Sequence, residues 1–286
     1  MDDKQVAVVT DSIGCLTRQL VEQYGIGIVP VNIHCDGRVY KDWVDMTPIE
    51  AYELFLEHPD SFSTSAPSPE DYLEVYRKAS TRAKNILCVT ISSKISMEYS
   101  VAQVAKGQAE EELPGVTIEV LDSYTATAAQ GFIALAGARA AEEGKSLVEV
   151  VKAAEEMKNK IGLIIILDTI RHIYRSGRIP KVAAQAGAIL NLRPMLTVNG
   201  PVHFMGMARS RKSGIERIFK VMRNKVGLKP VHVAVMHAYA PEEAESLKDR
   251  ISSEFNCTEL WLTEFSPVMG YVCGTGTLGI AFYAED

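Results

Sequence analysis

The chain has 286 residues, a length that suits one large domain or two ordinary ones. Hydrophobic residues make up 47% of the chain and charged residues 23%, which is typical of globular proteins. The formal net charge is -6 and no run of Lys and Arg stands out, which argues against a nucleic-acid-binding protein. The longest apolar run, around residues 161–167, is too short to span a bilayer.

The N-terminal stretch, MDDKQVAVVTDS, lacks the basic flank and apolar core of a signal peptide. The five cysteines are scattered and form no CxxC pair, and no zinc-binding spacing is present. These features predict reduced thiols in a cytoplasmic protein that has no metal site and no stable membrane insertion.

The first half of the chain alternates predicted strands with predicted helices. Strands are expected at residues 6–10, 26–33, 86–91 and 116–121. Helices are expected at residues 17–24, 47–56, 68–76, 99–111, 125–143 and 146–160. Three strand-to-helix connections carry hydroxyl or acidic residues: Asp11-Ser12, Ser92-Ser93 and Asp122-Ser123. This repeated unit predicts an N-terminal parallel α/β sandwich over residues 1–160.

The pattern changes after Lys160. Strands are expected at residues 162–167, 195–198, 202–207, 231–236, 257–263 and 278–283. A polar helix carrying three arginines follows the first of these strands, Asn199-Gly200 forms a hairpin turn, and further helices are expected at 210–225 and 241–255. This order predicts a C-terminal α+β domain with a mixed sheet over residues 161–286.

The central predicted strand, residues 86–91, is a continuous apolar run, as expected for a strand buried on both faces of a parallel sheet. It is followed by Ser92, Ser93 and Ser96. Ligands bind outside the carboxyl ends of strands in open α/β sheets, so these hydroxyls suit a polar head group. They also suit helix caps and turns, and from this stretch alone both interpretations stay open.

Other motifs are weaker. The GTGTLG stretch at residues 274–279 fits a dinucleotide fingerprint by letter, but a strand follows it where a helix is needed. A loop that lets backbone approach a ligand is the better interpretation. Arg175, Arg178, Arg209 and Arg211 stand near glycines or serines and suit phosphate or carboxylate recognition, or an ordinary basic rim. No nucleophile elbow, HExxH motif or marked carboxylate pair indicates a catalytic site.

Nine segments, taken together and in order, resemble the DegV family of bacterial fatty-acid-binding proteins over nearly the whole chain. They are VAVVTDS (6–12), GIGIVPVNIHCDGRVYKD (25–42), STSAPSPEDY (63–72), SSKIS (92–96), LDS (121–123), IRHIYRSGRIPK (170–181), LRPMLTVNGPV (192–202), ARSRKS (208–213) and GTGTLG (274–279).

The resemblance implies two α/β domains with a long-chain fatty acid held in a tunnel between them. The acyl chain would lie in the apolar interior, and hydroxyls near the interdomain cleft would bind the carboxylate. Family members present the lipid to a separate kinase subunit, which phosphorylates the carboxylate. The protein itself would be a carrier with no catalytic residue and no cofactor other than its bound lipid.

The resemblance also implies roles for individual residues. Thr64 matches the threonine of the family's TSxP motif, and Ser96 matches the serine of its SGT motif. Arg209 matches an arginine near the cleft that is linked to handing the lipid to the kinase. Arg178 falls in the GR(I) turn, where a structural or partner-facing role is expected. The remaining expected lipid contacts are Ser65, Ser93, Val272 and Gly274.

The chain departs from the family pattern at the head-group end. Met97-Glu98 stands where the family usually has Gly-Thr, Val272 stands where it usually has a histidine, and Ala66 replaces a usual glutamine. Two other functions remain open at this stage. One is a phosphoryl- or acyl-transfer enzyme with Ser96 or Ser93 as nucleophile, and the other is a scaffold or regulator without ligand.

Overall fold

The structure is a computed structural model that describes residues 5–179 and 192–285. The last two residues of the predicted IRHIYRSGRIPK segment, Pro180 and Lys181, lie outside the described residues. The strands are β1 (Val6–Asp11), β2 (Gly27–Val29), β3 (Asn32–Cys35), β4 (Arg38–Lys41), β5 (Ser63–Ser65), β6 (Asn85–Thr90), β7 (Thr117–Asp122), β8 (Gly162–Ile166), β9 (Arg193–Val198), β10 (Val202–Ala208), β11 (Val231–His237), β12 (Cys257–Glu264) and β13 (Leu278–Ala284).

The described helices are α1 (Arg18–Tyr24), α2 (Pro48–Glu57), α3 (Pro69–Ser80), α4 (Glu98–Glu112), α5 (Thr127–Glu142), α6 (Leu147–Lys160), α7 (Arg171–Arg175), α8 (Arg211–Val226), α9 (Pro241–Glu254) and α10 (Pro267–Cys273), and a short 3-10 helix covers Ser12–Gly14. Helices α2 and α3 begin as their sequences predict. Thr47 and Ser68 cap them, each followed by proline at the first position and an acidic residue two positions later that completes a capping box.

The N-terminal half is built on a four-stranded sheet in the order β2-β1-β6-β7, in which every neighbouring pair is parallel. This confirms the predicted parallel α/β sheet. Because the strands run in one direction, the segments that follow β1, β6 and β7 all leave from the same edge. The hydroxyl-rich connections predicted from the sequence therefore lie at one edge of this sheet.

The predicted strand over residues 26–33 is wrong, because the structure divides it into β2 and β3, which belong to different sheets. The break falls at Pro30 and Val31. Proline has no N–H for a ladder, and the N–H of Val31 donates instead to the Ser12 hydroxyl at 3.3 Å. Strand β3 then pairs with β4, across the turn at Asp36-Gly37 that is typical of a hairpin, and with β5 in a small antiparallel sheet.

The C-terminal half is built on a six-stranded sheet in the order β10-β9-β8-β13-β11-β12. Strands β11 and β12 are parallel, whereas the other neighbouring pairs are antiparallel. This confirms the predicted mixed sheet. The predicted domain boundary falls between the end of α6 at Lys160 and the start of β8 at Gly162, and it stays a prediction.

Helix α5 packs against both sheets. Gln130 at its start donates to Asp11 of β1 at 2.9 Å, and the ring of Phe132 lies 5.3 Å from the rings of Trp261 and Tyr283 in the mixed sheet. Gly131 lets α5 approach the short 3-10 helix that follows β1, because a Cβ at this position would lie 2.4 Å from the carbonyl oxygen of Gly14. One hydrophobic cluster accordingly contains residues of both sheets.

Candidate functional site

A cavity lies where the two sheets and the small antiparallel sheet meet. The space between its atoms, counted out to where the cavity opens to solvent, is about 660 Å³. A water-sized sphere can be centred in only about 60 Å³ of it, so the space is narrow. Its lining comprises Ile13, Val31, Thr64, Ser65, Ala66, Ile91, Ile95, Ser96, Glu98, Ile165, Ile173, Arg178, Leu196, Val198, Val202, Val268, Met269, Val272 and Cys273.

The walls of the cavity are apolar and come from both halves of the chain. Ile13 and Ile91 follow the parallel strands β1 and β6, whereas Ile165 and Leu196 belong to the mixed sheet. The polar side chains of the lining are Thr64, Ser65, Ser96, Glu98 and Arg178. Such a space suits a ligand that is mostly hydrocarbon and has one polar end.

Two hydroxyl groups of the lining, those of Thr64 and Ser65, belong to β5, and the pairing of β5 with β3 fixes their position. Thr64 pairs with Ile33 in the small sheet, and the Ser65 hydroxyl lies 2.9 Å from Nε2 of His34. Ser96 lies just before α4, and its hydroxyl donates to Oε1 of Glu98 at 3.1 Å. The structure thus brings Thr64, Ser65 and Ser96, three of the lipid contacts expected from the sequence, to one cavity.

Ser93, Gly274 and Arg209 lie outside this lining. The backbone N–H of Ser93 lies 3.3 Å from both carboxylate oxygens of Asp122. Gly274 has a φ of 87°, and a Cβ there would lie 2.6 Å from Cδ2 of His172, so the position requires glycine for close packing. Arg209 is exposed at the end of β10.

Val272 lines the cavity and is only 5% exposed. It lies in the last turn of α10, a helix that the sequence analysis did not predict, so Val272 and Cys273 belong to a helix and not to a loop. Burial raises the pKa of the Cys273 thiol to about 12. The side chain of Val272 has no polar atom, so it does not offer a head group the contact that a histidine would supply.

Glu98 is the functional candidate that sequence reasoning noted only as a departure from the family pattern. It lines the cavity and is 1% exposed. Burial raises its pKa well above the ordinary glutamate value, and the neighbouring charge of Asp11 raises it further. The two carboxyl groups are close enough for each to shift the pKa of the other. The chain therefore places a buried acid pair beside the hydroxyls.

Asp11 is held differently from its partner. Its carboxylate accepts hydrogen bonds from the backbone N–H groups of Ile13 and Ile91, at 3.1 and 3.0 Å, and from the Gln130 amide. Burial raises the pKa of Asp11, but these donors and Glu98 oppose the rise. Since donors surround Asp11, the shared proton resides on Glu98. The sequence feature that could have indicated Asp11 as a site residue is the Asp11-Ser12 pair at the end of β1.

Arg178 supplies the positive charge of the cavity. It is half-buried, and its Nη1 donates to the carbonyl oxygen of Ser176 at 3.1 Å. Its charge lowers the pKa of Glu98 and of Cys273, though less than burial raises each of them. An anionic head group in the cavity would lie within the field of this guanidinium.

Across residues 5–179 and 192–285, no cluster of His, Cys, Asp and Glu is arranged to hold a metal ion. Within the same ranges, no helix is long and apolar enough to cross a membrane.

Comparison with known proteins adds a family and a fold. A family model described as uncharacterised protein, DegV family, matches residues 5–285. A DegV domain-containing protein of Clostridium perfringens is 33% identical over 284 residues, which cover 98% of this chain and 99% of that protein. Protein DegV of Bacillus subtilis is 28% identical over 281 residues, covering 97% and 98% of the two chains.

Two solved structures are similar over nearly the whole chain. A DegV family protein from Thermus thermophilus, described by its fatty acid binding, has a TM-score of 0.88 and 30% identity, and the match covers 98% of this chain and 100% of that one. DegV from Bacillus subtilis, described as a fatty acid binding protein, has a TM-score of 0.89 and 26% identity, covering 99% and 100%.

Proposed function

Because this chain belongs to the DegV family, we propose that it binds a long-chain fatty acid in the cavity between its two halves. The acyl chain would lie along the apolar walls, and the carboxyl group would lie at the hydroxyls of Thr64, Ser65 and Ser96. The observation that carries this proposal is a narrow apolar cavity whose hydroxyl groups, within the described part of the chain, come from these three residues. The fatty acid binding described for the Thermus thermophilus and Bacillus subtilis relatives supports it.

The energetics of an acyl chain fit such a cavity. Burial of one methylene group contributes about 0.8 kcal/mol, so fifteen of them contribute on the order of 12 kcal/mol before the costs of ordering. That is enough for a ligand that survives purification. The polar residues then need only set the orientation of the lipid.

The proposed role of the protein is that of a lipid carrier and not of an enzyme. A serine nucleophile needs a neighbouring base that accepts its proton. The Ser96 hydroxyl donates to Glu98, but burial favours the protonated form of that carboxyl group, and a carboxyl group that already holds its proton cannot accept the proton of the serine. The N–H of Ser93 contacts Asp122, and Ser93 lies outside the cavity lining.

The proposal extends to a partner. The bound lipid would be presented to a separate kinase subunit, which would phosphorylate its carboxylate. Support comes from the resemblance of the ARSRKS segment and from the exposure of Arg209, which leaves its charge open to another protein. A cytoplasmic location belongs to the same proposal, since all five cysteines are free, as expected in a reducing compartment.

The test is mass spectrometry of an organic extract from freshly purified, denatured protein. A stoichiometric fatty acid supports the carrier. An extract without lipid, together with turnover of an acyl or phosphoryl ester, would indicate a transfer enzyme instead. An extract without lipid and without turnover would indicate a scaffold, and either result would overturn the proposed function.

A further inference from the structure

Glu98 is a buried carboxyl group in the wall of an otherwise mostly apolar cavity. Its Oε1 accepts from Ser96, whereas Oε2 receives no hydrogen bond from an amide or hydroxyl donor among the described residues. A buried carboxylate oxygen without a donor costs several kcal/mol in a dry site, as a general estimate. If the carboxyl group is protonated, its O–H is a hydrogen-bond donor, and it then needs an acceptor and not a donor.

The groups that face Glu98 come from several elements. Asp11 of β1 is acidic, whereas Tyr72 of α3 and Cys88 of β6 are neutral groups whose pKa values burial raises. Arg178, beyond α7, is the cation whose charge reaches Glu98. Asp11 already accepts three N–H donors, so it holds the negative charge of the pair and Glu98 holds the proton.

We propose that Glu98 determines which head group this cavity accepts, by donating its proton in a hydrogen bond to the carboxylate of the bound lipid. The inference rests on the proposed function and deepens it. Asp11 is the acidic group of the protein that already faces this proton. A fatty carboxylate that reaches the three hydroxyls becomes a second acceptor close to it, and the donor takes the place of the contact that Val272 does not supply.

Binding is therefore coupled to one proton. While Glu98 is protonated, the cavity presents a donor, three hydroxyls and Arg178 to the lipid carboxylate. Once Glu98 loses its proton, the lipid carboxylate faces two carboxylates, and Arg178 is the cation that the described residues place in the lining to compensate them. Because binding requires one proton on Glu98, the affinity for the lipid falls once the pH exceeds the value at which Glu98 loses that proton in the lipid-free protein. The fall is up to about tenfold for each pH unit.

The experiment compares three delipidated proteins: the parent, Glu98→Gln and a control, Glu110→Gln, on the exposed part of α4. Each is titrated with dodecanoic acid and with dodecan-1-ol between about pH 6 and pH 9. The parent and the control should lose affinity for the acid as the pH rises, by up to about tenfold per unit. Glu98→Gln should bind the acid with the same affinity throughout, because its amide donates but does not titrate. The alcohol should bind independently of pH in all three proteins.

Calorimetry in two buffers of different protonation enthalpy supplies a second measurement, the number of protons taken up with each lipid. We expect uptake of close to one proton by the parent in the falling part of its profile, and none by Glu98→Gln. Equal slopes and equal uptake in the two proteins, or a flat profile in the parent, would overturn the role of Glu98. Failure of every protein to bind dodecanoic acid at any pH would instead overturn the proposed function. Thermal melting confirms that each variant is folded.

Discussion

The hydroxyl group of Ser92 donates a 2.8 Å hydrogen bond to the carbonyl oxygen of Gly200. Ser92 follows β6 of the parallel sheet, and Gly200 lies in the turn between β9 and β10 of the mixed sheet. Both residues are buried, and the N–H of Gly200 in turn donates to the carbonyl oxygen of Tyr124 at 2.6 Å. The first serine of the central stretch therefore joins the two halves of the molecule, whereas Ser96 lines the cavity.

Replacement of Ser92 by alanine should lower the free energy of unfolding by about 1–3 kcal/mol, because it leaves a buried carbonyl group without its donor. Urea denaturation measures the change. Ser93→Ala is the matched control, since the described contact of Ser93 with Asp122 is made by its backbone N–H, and its cost should stay below about 0.5 kcal/mol. Equal losses in the two variants would contradict the structural role of Ser92.

Replacement of Thr64 or Ser96 by alanine should weaken fatty-acid binding about tenfold or more. A hydrogen bond to a charged acceptor contributes about 1.5–3 kcal/mol, and each substitution removes one donor. Lipid titration at neutral pH measures the effect. Ser63→Ala, on the same strand as Thr64 but outside the cavity lining, should bind as the parent does. Unchanged binding in both cavity variants would place the polar end of the lipid elsewhere.

The stability of the folded protein should depend on Asp42, a buried carboxyl group that accepts a 2.7 Å hydrogen bond from the Ser266 hydroxyl. Burial raises the pKa of Asp42 to about 6. Between about pH 4 and pH 6 Asp42 holds a proton in the folded protein that it has released in the unfolded chain, so its contribution to the free energy of unfolding falls by about 3 kcal/mol as the pH rises through this window.

Denaturation at several pH values measures this slope. Asp42→Asn cannot titrate and should reduce it, whereas Asp249→Asn, at an exposed position of α9, should leave it unchanged. The slope that remains in Asp42→Asn belongs to the other titrating groups, among them Asp11, Glu98 and Glu264, whose pKa values burial also raises. A slope in Asp42→Asn as steep as that of the parent would show that Asp42 does not carry this dependence.

The thiol of Cys273 should react slowly with iodoacetamide, because burial raises its pKa to about 12 and leaves little thiolate. Added fatty acid should slow the reaction further, since Cys273 lines the cavity. The partly exposed Cys257 of β12 lies outside the lining and serves as the internal control, with a rate that lipid leaves unchanged. Equal rates at Cys273 with and without lipid would place the ligand away from α10.

Replacement of Arg209 by alanine should leave the content of bound lipid intact and weaken transfer to a kinase subunit by at least about tenfold, the effect of losing about 1.4 kcal/mol of docking energy. The reason is that Arg209 is exposed and lies outside the cavity lining. Phosphorylation of the bound lipid measures the transfer, and Lys229→Ala, which removes another exposed charge, is the control. An Arg209→Ala protein that emerges without lipid would make Arg209 a ligand of the head group.

Local pattern was sufficient to predict the parallel sheet and most of its helices. The apolar run of β6, the Asp-Ser connection after β1 and the proline-led capping box of α2 are each contained in a short stretch of chain. Prediction was less successful where tertiary contacts decide. Residues 26–33 read as one strand until the hydrogen bond between Val31 and Ser12 divides them, and α10 is seven residues long without a side-chain cap.

The candidate site divides in the same way. Thr64 and Ser96 carry hydroxyls in recognisable segments, so the sequence and its family resemblance indicated them before the structure did. The acid pair escaped prediction because Asp11 and Glu98 belong to separate strand-to-helix connections, and only the neighbouring positions of β1 and β6 in the sheet bring them together. The raised pKa of Glu98 follows from burial, which no local pattern of residues reveals.

The two-sided packing of α5 has a consequence for synthesis on the ribosome, where the chain emerges from its N-terminus. When α5 first folds onto β1, the strands that cover its other side, β12 and β13, have yet to be translated. Until they arrive, Phe132 faces water, and Arg139 lacks the carboxylate of Glu259 that it binds at 2.8 Å in the finished protein. The nascent N-terminal half therefore exposes apolar surface that makes it prone to aggregation until the C-terminal strands complete the fold.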